Sequence, residues 1–324
     1  MRLKKESGTV WWLLGSLVMT LLAFAASPGT GQALPGIAHP LSLGPTQEGL
    51  VYGRPGDEGL TMDYYAGAGV GGHPIAIIIH GGGWTSGTSK NGSEAYCADF
   101  LAPAGYDVFS INYRLAPQHP YPAAVEDVER AIRYIRFHAR EWNGDSKKIA
   151  LVGGSAGGYL STMVGLINAS GVKGSDDAVD RESARVQAVV TLFGVSDLRG
   201  MALNDSIHAL LDPLIKEKGQ EAALAQASPI TYVNPNAPPF LLIHGDKDES
   251  VPFAQSTELQ EALRKVGVHC DLIRIPNGIH ATGTWHTIPN VPDWERDMAQ
   301  WLNKTLVHEG PVGAGIRGRA PKEG

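Results

Sequence analysis

Cysteine is nearly absent: Cys97 and Cys270 are the two in 324 residues. That is too few for the disulfide framework that staples small secreted domains. The two fall where a helix and a strand are expected, so they read as buried thiols rather than as a bridge. No H-E-x-x-H pair occurs and the 11 histidines are scattered, so neither a metal nor another cofactor is expected. The formal net charge is −6 and no long basic run interrupts the interior of the chain. Without clustered Lys and Arg to neutralise phosphates, a nucleic-acid partner is not expected, and a neutral small-molecule substrate suits the balance better. No repeat of a few tens of residues is visible, which argues against a solenoid.

What remains is the composition of a large globular domain, 43% apolar and 19% charged. Arg2, Lys4 and Lys5 precede an apolar stretch from Val10 to Ala26, followed by Ser27, Pro28 and Gly29. Positive, apolar and then small is the layout of a secretory signal peptide. The expectation is a signal over 1–26, cleaved after Ala25 or Ala26 or later after Ala33. The product would be secreted or periplasmic, with no stable membrane association. An uncleaved anchor is the alternative, because the run approaches the length that spans a bilayer. Residues 27–59 are Gly- and Pro-rich and are expected to be irregular, and 310–324 to form a flexible tail.

Between them, 60–309 alternates two kinds of signal. Short continuous apolar runs at Leu60–Tyr65, Ile75–Ile79, Val108–Tyr113, Ile149–Gly153, Ala188–Phe193, Phe240–Ile243 and Leu272–Ile275 suit strands, most of them buried on both faces. The stretch Ala123–Trp142 places Val125, Val128, Ile132, Ile135 and Ala139 at helical spacing, with charge on the other face. Strands alternating with helices predict an α/β fold with a mainly parallel central sheet and helices on both faces. Residues 200–236 read as a small insertion with one or two short helices.

Three motifs fall at the ends of the strand-like runs. Gly153, Ser155 and Gly157 make G-x-S-x-G between the run at 149–152 and a helix-compatible segment. A sharp strand-to-helix turn would lift the serine hydroxyl above the sheet edge and aim the helix's positive end at developing negative charge. His80-Gly81-Gly82-Gly83-Trp84 closes the run at 75–79. Its glycines let backbone amides approach a reacting carbonyl and, with the amide of Ala156, form an oxyanion hole. His80 is expected to brace that loop by a hydrogen bond. Asp248 follows the run at 240–243 and His280 the run at 272–275, so Ser155, Asp248 and His280 occur in the order of an α/β-hydrolase triad. Asp246 is the alternative acid, better suited to the turn, and His286 a rival base. Trp84, Tyr159 and Trp285 flank these motifs as candidate substrate-pocket residues, although packing accounts equally well for Tyr159. The G-x-G-x-x-G at 67–72 precedes a strand and opens no helix, so it reads as a loose turn rather than a dinucleotide site.

HGGGW at 80–84, Asn112-Tyr113-Arg114-Leu115-Ala116-Pro117 and GGSAGG at 153–158 resemble the hormone-sensitive-lipase-like and acetyl esterase branch of the α/β-hydrolases. Ser228-Pro229-Ile230 with the segment Pro238–Asp246 resembles a narrower group containing bacterial acetyl xylan and feruloyl esterases. The likeness runs from about Leu60 to Leu306. It implies a serine carboxylesterase with Ser155 as nucleophile, Asp248 as acid, His280 as base, and Gly82, Gly83 and Ala156 in the oxyanion hole. It also implies short acyl, acetyl or feruloyl esters of plant polysaccharides or related small esters as substrates. Asn277-Gly278-Ile279-His280 departs from the relatives that carry a second glycine beside the histidine, which bears on substrate preference. Two other functions use the same residues differently: an amidase or peptidase with the same triad, and a binding protein that kept only the fold. The peptidases usually add a propeller domain for which there is no room here, and a binding protein is not expected to retain all three residues.

Overall fold

The computed structural model describes residues 44–90 and 95–307. The expected signal at 1–26 and tail at 310–324 lie outside the described residues.

Eight strands form one sheet: β1 (Gln47–Gly53), β2 (Leu60–Tyr65), β3 (His73–Ile79), β4 (Asp107–Ile111), β5 (Gly144–Gly154), β6 (Ala188–Leu192), β7 (Phe240–Gly245) and β8 (Cys270–Ile275). Their order across the sheet is β1-β2-β4-β3-β5-β6-β7-β8. The pairs β1–β2 and β2–β4 are antiparallel, and every later pair is parallel. The helices are α1 (Cys97–Leu101), α2 (Ala123–His138), α3 (Ala156–Ile167), α4 (Asp205–Lys218), α5 (Gln220–Gln226), α6 (Ala254–Lys265), α7 (Thr282–Trp285) and α8 (Trp294–Leu306).

The continuous apolar runs have a direct cause in the layers. In β3, Ile75, Ile77 and Ile79 enter one core with α2, α3 and α6, while Ala76 and Ile78 enter the other with α1 and α8. Strand β5 divides likewise, Ile149 and Leu151 against Ala150 and Val152. Because alternate side chains of a strand point to opposite faces, a strand covered on both faces needs apolar residues at every position. The same logic explains α3, whose residues 156–166 are all buried.

One expected irregular stretch is not irregular. Within 27–59, residues 47–53 form β1 on the sheet edge. Its pairing with β2 carries register shifts and its first three residues are exposed, so no alternating pattern marks it. Tyr52 is its anchor, fully buried with its hydroxyl donating to the Asn112 carbonyl at 2.7 Å. The helix expected over 123–142 ends at His138 and continues as a 3-10 turn to Trp142. There Asn143 adopts a left-handed conformation, φ 59°, and stops it. The insertion at 200–236 contains α4, α5 and a 3-10 turn, and the glycine-rich turn at 67–72 joins β2 to β3 without a helix. Cys97 and Cys270 stand at the starts of α1 and β8 as buried thiols, not joined to each other. Among the described residues no helix is long and apolar enough to cross a membrane.

Candidate active site

The site is built where the parallel strands end. Strand β5 stops at Gly154 and α3 starts at Ala156, leaving Ser155 alone in the turn with φ 53° and ψ −120°. A side chain in that region is strained, and here the surrounding layers impose it. The Ser155 amide donates to the Leu192 carbonyl of β6 at 2.9 Å, which fixes the turn against the next strand. Gly157 makes the approach possible, because a Cβ there would stand 2.0 Å from the Ile79 carbonyl oxygen.

Strand β7 leads into the loop carrying Asp248, and β8 into the loop carrying His280. The two loops are tied together. The amides of Asp246 and Lys247 donate to the carbonyls of Ile275 and Gly278 at 3.1 and 2.9 Å. The Asn277 amide donates to Asp246 Oδ1 at 2.7 Å, and Arg274 holds Asp246 Oδ2 at 2.8 Å. Asp246 therefore serves the turn. Across it, His280 Nδ1 lies 2.7 Å from Asp248 Oδ2 and His280 Nε2 lies 2.9 Å from Ser155 Oγ. The three residues separated by up to 125 positions thus form one hydrogen-bonded chain. His286, the rival base, pairs instead with Glu295 at 3.2 Å.

Electrostatics keep the chain poised. Burial alone would raise the Asp248 carboxyl. Hydrogen bonds from His244 and His280, the Val251 amide and the charge of His280 outweigh it, holding Asp248 well below the usual carboxylate range. The acid is thus ionised and fully buried at its side chain, with the imidazole as the less buried member at 22% exposure.

The glycine loop after β3 sits opposite. Gly82 has φ 109°, and a Cβ on it would stand 2.1 Å from the Ser86 carbonyl oxygen. The Gly82 carbonyl accepts from the amides of Thr85 and Ser86, both at 3.1 Å, which closes the loop on itself. His80 braces it: Nδ1 lies 2.7 Å from the Gly81 carbonyl, and the ring stacks on Tyr113 at 4.2 Å. Tyr113 in turn donates its hydroxyl to the His80 carbonyl at 3.0 Å. Burial pushes the His80 imidazole down to about 4, so it stays neutral near neutral pH. Ala156, first residue of α3, contributes an amide from the helix turn whose N–H groups lack intrahelical acceptors.

The three aromatic candidates separate on inspection. Trp84 follows Gly83 directly, with φ 62°, and meets Tyr159 edge to face at 5.1 Å. Tyr159 and Trp285 are fully buried and already committed. The Tyr159 hydroxyl donates to the Ala227 carbonyl at 2.8 Å, pinning the insertion onto α3. Trp285 donates its indole N–H to the Ile279 carbonyl at 2.8 Å, bracing the histidine loop from behind. Both side chains are turned to the interior and brace the loops around the site. Three residues without an expected role also reach the site. Phe193 lies ring to ring with His280 at 4.4 Å, with φ 42° at the end of β6. Ser206, at the start of α4, lies against Gly83, where a Cβ would come 2.8 Å from its hydroxyl. His244 contacts Asp248 at 3.3 Å. The glycine elbow marks Phe193 only by proximity, and nothing local marks Ser206.

Known proteins share this arrangement's frame. An acetyl ester-xyloside bifunctional hydrolase from Caldicellulosiruptor lactoaceticus superposes with a TM-score of 0.72 at 30% identity, over 82% of this chain and 98% of that one. A truncated carbohydrate esterase from gut microbiota gives 0.66 at 31% identity, over 76% and 90%. In Mycobacterium tuberculosis, the probable carboxylic ester hydrolase LipM is 35% identical over 200 residues, 60% of this chain and 45% of LipM. The esterase LipQ of the same organism is 32% identical over 218 residues, 64% of this chain and 50% of LipQ. The chain spans about half the length of these curated relatives. The BD-FAE family matches residues 62–263, most of the described fold. On that match, and on the superposition with solved ester hydrolases, the chain belongs to the BD-FAE family of the α/β-hydrolase fold.

Proposed function

We propose that the chain is a serine carboxylic-ester hydrolase working through an acyl-enzyme, with Ser155, His280 and Asp248 as its triad. The observation that carries the reading is the continuous chain Ser155 Oγ–His280 Nε2, His280 Nδ1–Asp248 Oδ2, at 2.9 and 2.7 Å. Ser155 Oγ attacks the ester carbonyl while His280 Nε2 takes its proton, and Asp248 stabilises the imidazolium from the other side. The amides of Gly82, Gly83 and Ala156 receive the developing oxyanion, a contribution of about 3 kcal/mol per donor in such sites. His280 then returns its proton to the departing alcohol. A water, deprotonated by the same imidazole, releases the acid and restores Ser155. The reaction needs no metal or cofactor.

The substrate class is a short-chain acyl, acetyl or feruloyl ester on a carbohydrate or related small alcohol. It is supported by the likeness to the acetyl ester-xyloside hydrolase and the carbohydrate esterase. Export to the periplasm or the medium is part of the same proposal, supported by the charged and apolar pattern of residues 2–26. The test is hydrolysis of p-nitrophenyl acetate, butyrate and octanoate, methyl ferulate and acetylated xylan by wild type and Ser155→Ala. Turnover of the acetyl or feruloyl esters ahead of octanoate, abolished by the substitution, supports the reading. Absence of turnover on all five, or activity retained by Ser155→Ala, rejects it.

A further inference from the structure

His244 is the penultimate residue of β7, four residues before Asp248, and its side chain is fully buried. Its Nε2 lies 2.9 Å from the Val251 carbonyl and 3.3 Å from Asp248 Oδ2. Both partners are acceptors only, so Nε2 carries the proton and donates to both. Nδ1 lies 2.7 Å from the Ser256 hydroxyl, which holds the other edge of the ring. Asp248 is consequently saturated. Oδ1 accepts the amides of Ser250 and Val251, each at 2.9 Å, and Oδ2 accepts two imidazoles, His280 and His244.

Resting on the triad reading above, we propose that His244 is a positioning residue that fixes the plane of the Asp248 carboxylate and moderates its pull on the His280 proton. Two donors on one oxygen divide its negative charge. Removing the His244 donor concentrates that charge on His280, stabilises its imidazolium and frees the carboxylate to turn. The groups facing this pair are few. Loop residue Asp248 and, through it, His280 and Ser155 bring the titrating groups. Phe193 from the end of β6 and Phe253 and Ser256 beside and within α6 bring no charge. Asp246, on the same loop, is turned to Arg274 and the Asn277 amide.

The experiment is the pH profile of kcat/KM on p-nitrophenyl acetate for wild type, His244→Leu, His244→Gln and His244→Asn. Glutamine can place an amide N–H where Nε2 stands, whereas asparagine reaches only toward Ser256. Expected are an acidic limb moved up by about half a pH unit in His244→Leu and His244→Asn, and kcat lowered about tenfold at little change in KM. His244→Gln should return both toward wild type. Should His244→Leu fail to fold, the Gln and Asn pair carries the comparison alone. An unmoved limb in both Leu and Asn, or a Gln variant no better than Asn, overturns the proposal while leaving the triad intact. Activity surviving Ser155→Ala would instead reject the triad reading itself, so the two failures are distinguishable.

Discussion

Gly157 stands directly on Ile79: a methyl group on its α-carbon would lie 2.0 Å from the Ile79 carbonyl oxygen, inside van der Waals contact. Ile79 ends β3 and begins the glycine loop, and Gly157 is in the first turn of the helix behind Ser155. The contact therefore sets the distance between Ser155 and the glycine loop. Gly157→Ala must push backbone against backbone, and a displacement near 1 Å costs about 100-fold in such sites. The check is kcat on p-nitrophenyl acetate, with circular dichroism showing the fold retained.

Asp248→Asn should leave the fold in place and remove the charge that orients His280. The loss in kcat is expected at about 10,000-fold, because the amide favours the wrong imidazole tautomer. Steady-state kinetics across pH 6 to 9 check it. A loss of only a few-fold would mean that Asp248 does not act through His280.

Acid should destabilise the protein partly through His80. Its buried imidazole titrates at about 4 when folded against the usual 6.5. The unfolded chain binds the proton first, so the folded state's advantage is complete above pH 6.5 and is lost as pH falls toward 4. The span corresponds to roughly 3 kcal/mol. Urea unfolding of wild type and His80→Gln at pH 7, 5.5 and 4.5 measures it, and the variant should show the flatter dependence.

Trp285→Phe keeps an aromatic ring against Phe193 and Trp294 and deletes the N–H that holds the Ile279 carbonyl. The Ile279 carbonyl keeps the Ala281 amide at 2.8 Å, so the change removes one hydrogen bond, about 0.5–1.5 kcal/mol of stability. Because Ile279 precedes His280, kcat should fall with KM little changed. Thermal unfolding with matched kinetics separates the two effects.

The legible parts of this fold are those where one physical demand acts on consecutive residues. Strands β3, β5, β6 and β7 are covered on both faces, so apolar runs announce them. The polar beginning of β5, Gly144–Lys148, carries no such run because its residues are at most half-buried. Strand β1 is hidden for a related reason, since an edge strand with bulges needs few apolar positions. The site was readable where chemistry demands a local pattern, as at Ser155 and the glycine loop. Asp248 and His280 were readable because each follows a strand end. What local sequence does not carry is which way a side chain points. Tyr159 and Trp285 sit beside the motifs yet face the interior, and Ser206 reaches Gly83 from a helix 123 positions downstream through docking of the insertion.

Incubation with diethyl p-nitrophenyl phosphate, followed by intact and peptide mass spectrometry, tests the assignment of Ser155 most directly. The account predicts a single diethylphosphoryl group per chain, carried by the peptide containing Ser155, with activity lost in step. It also predicts no labelling of Ser155→Ala and slow labelling of His280→Ala. Stoichiometric labelling at another serine, or full activity after labelling of Ser155, would contradict it.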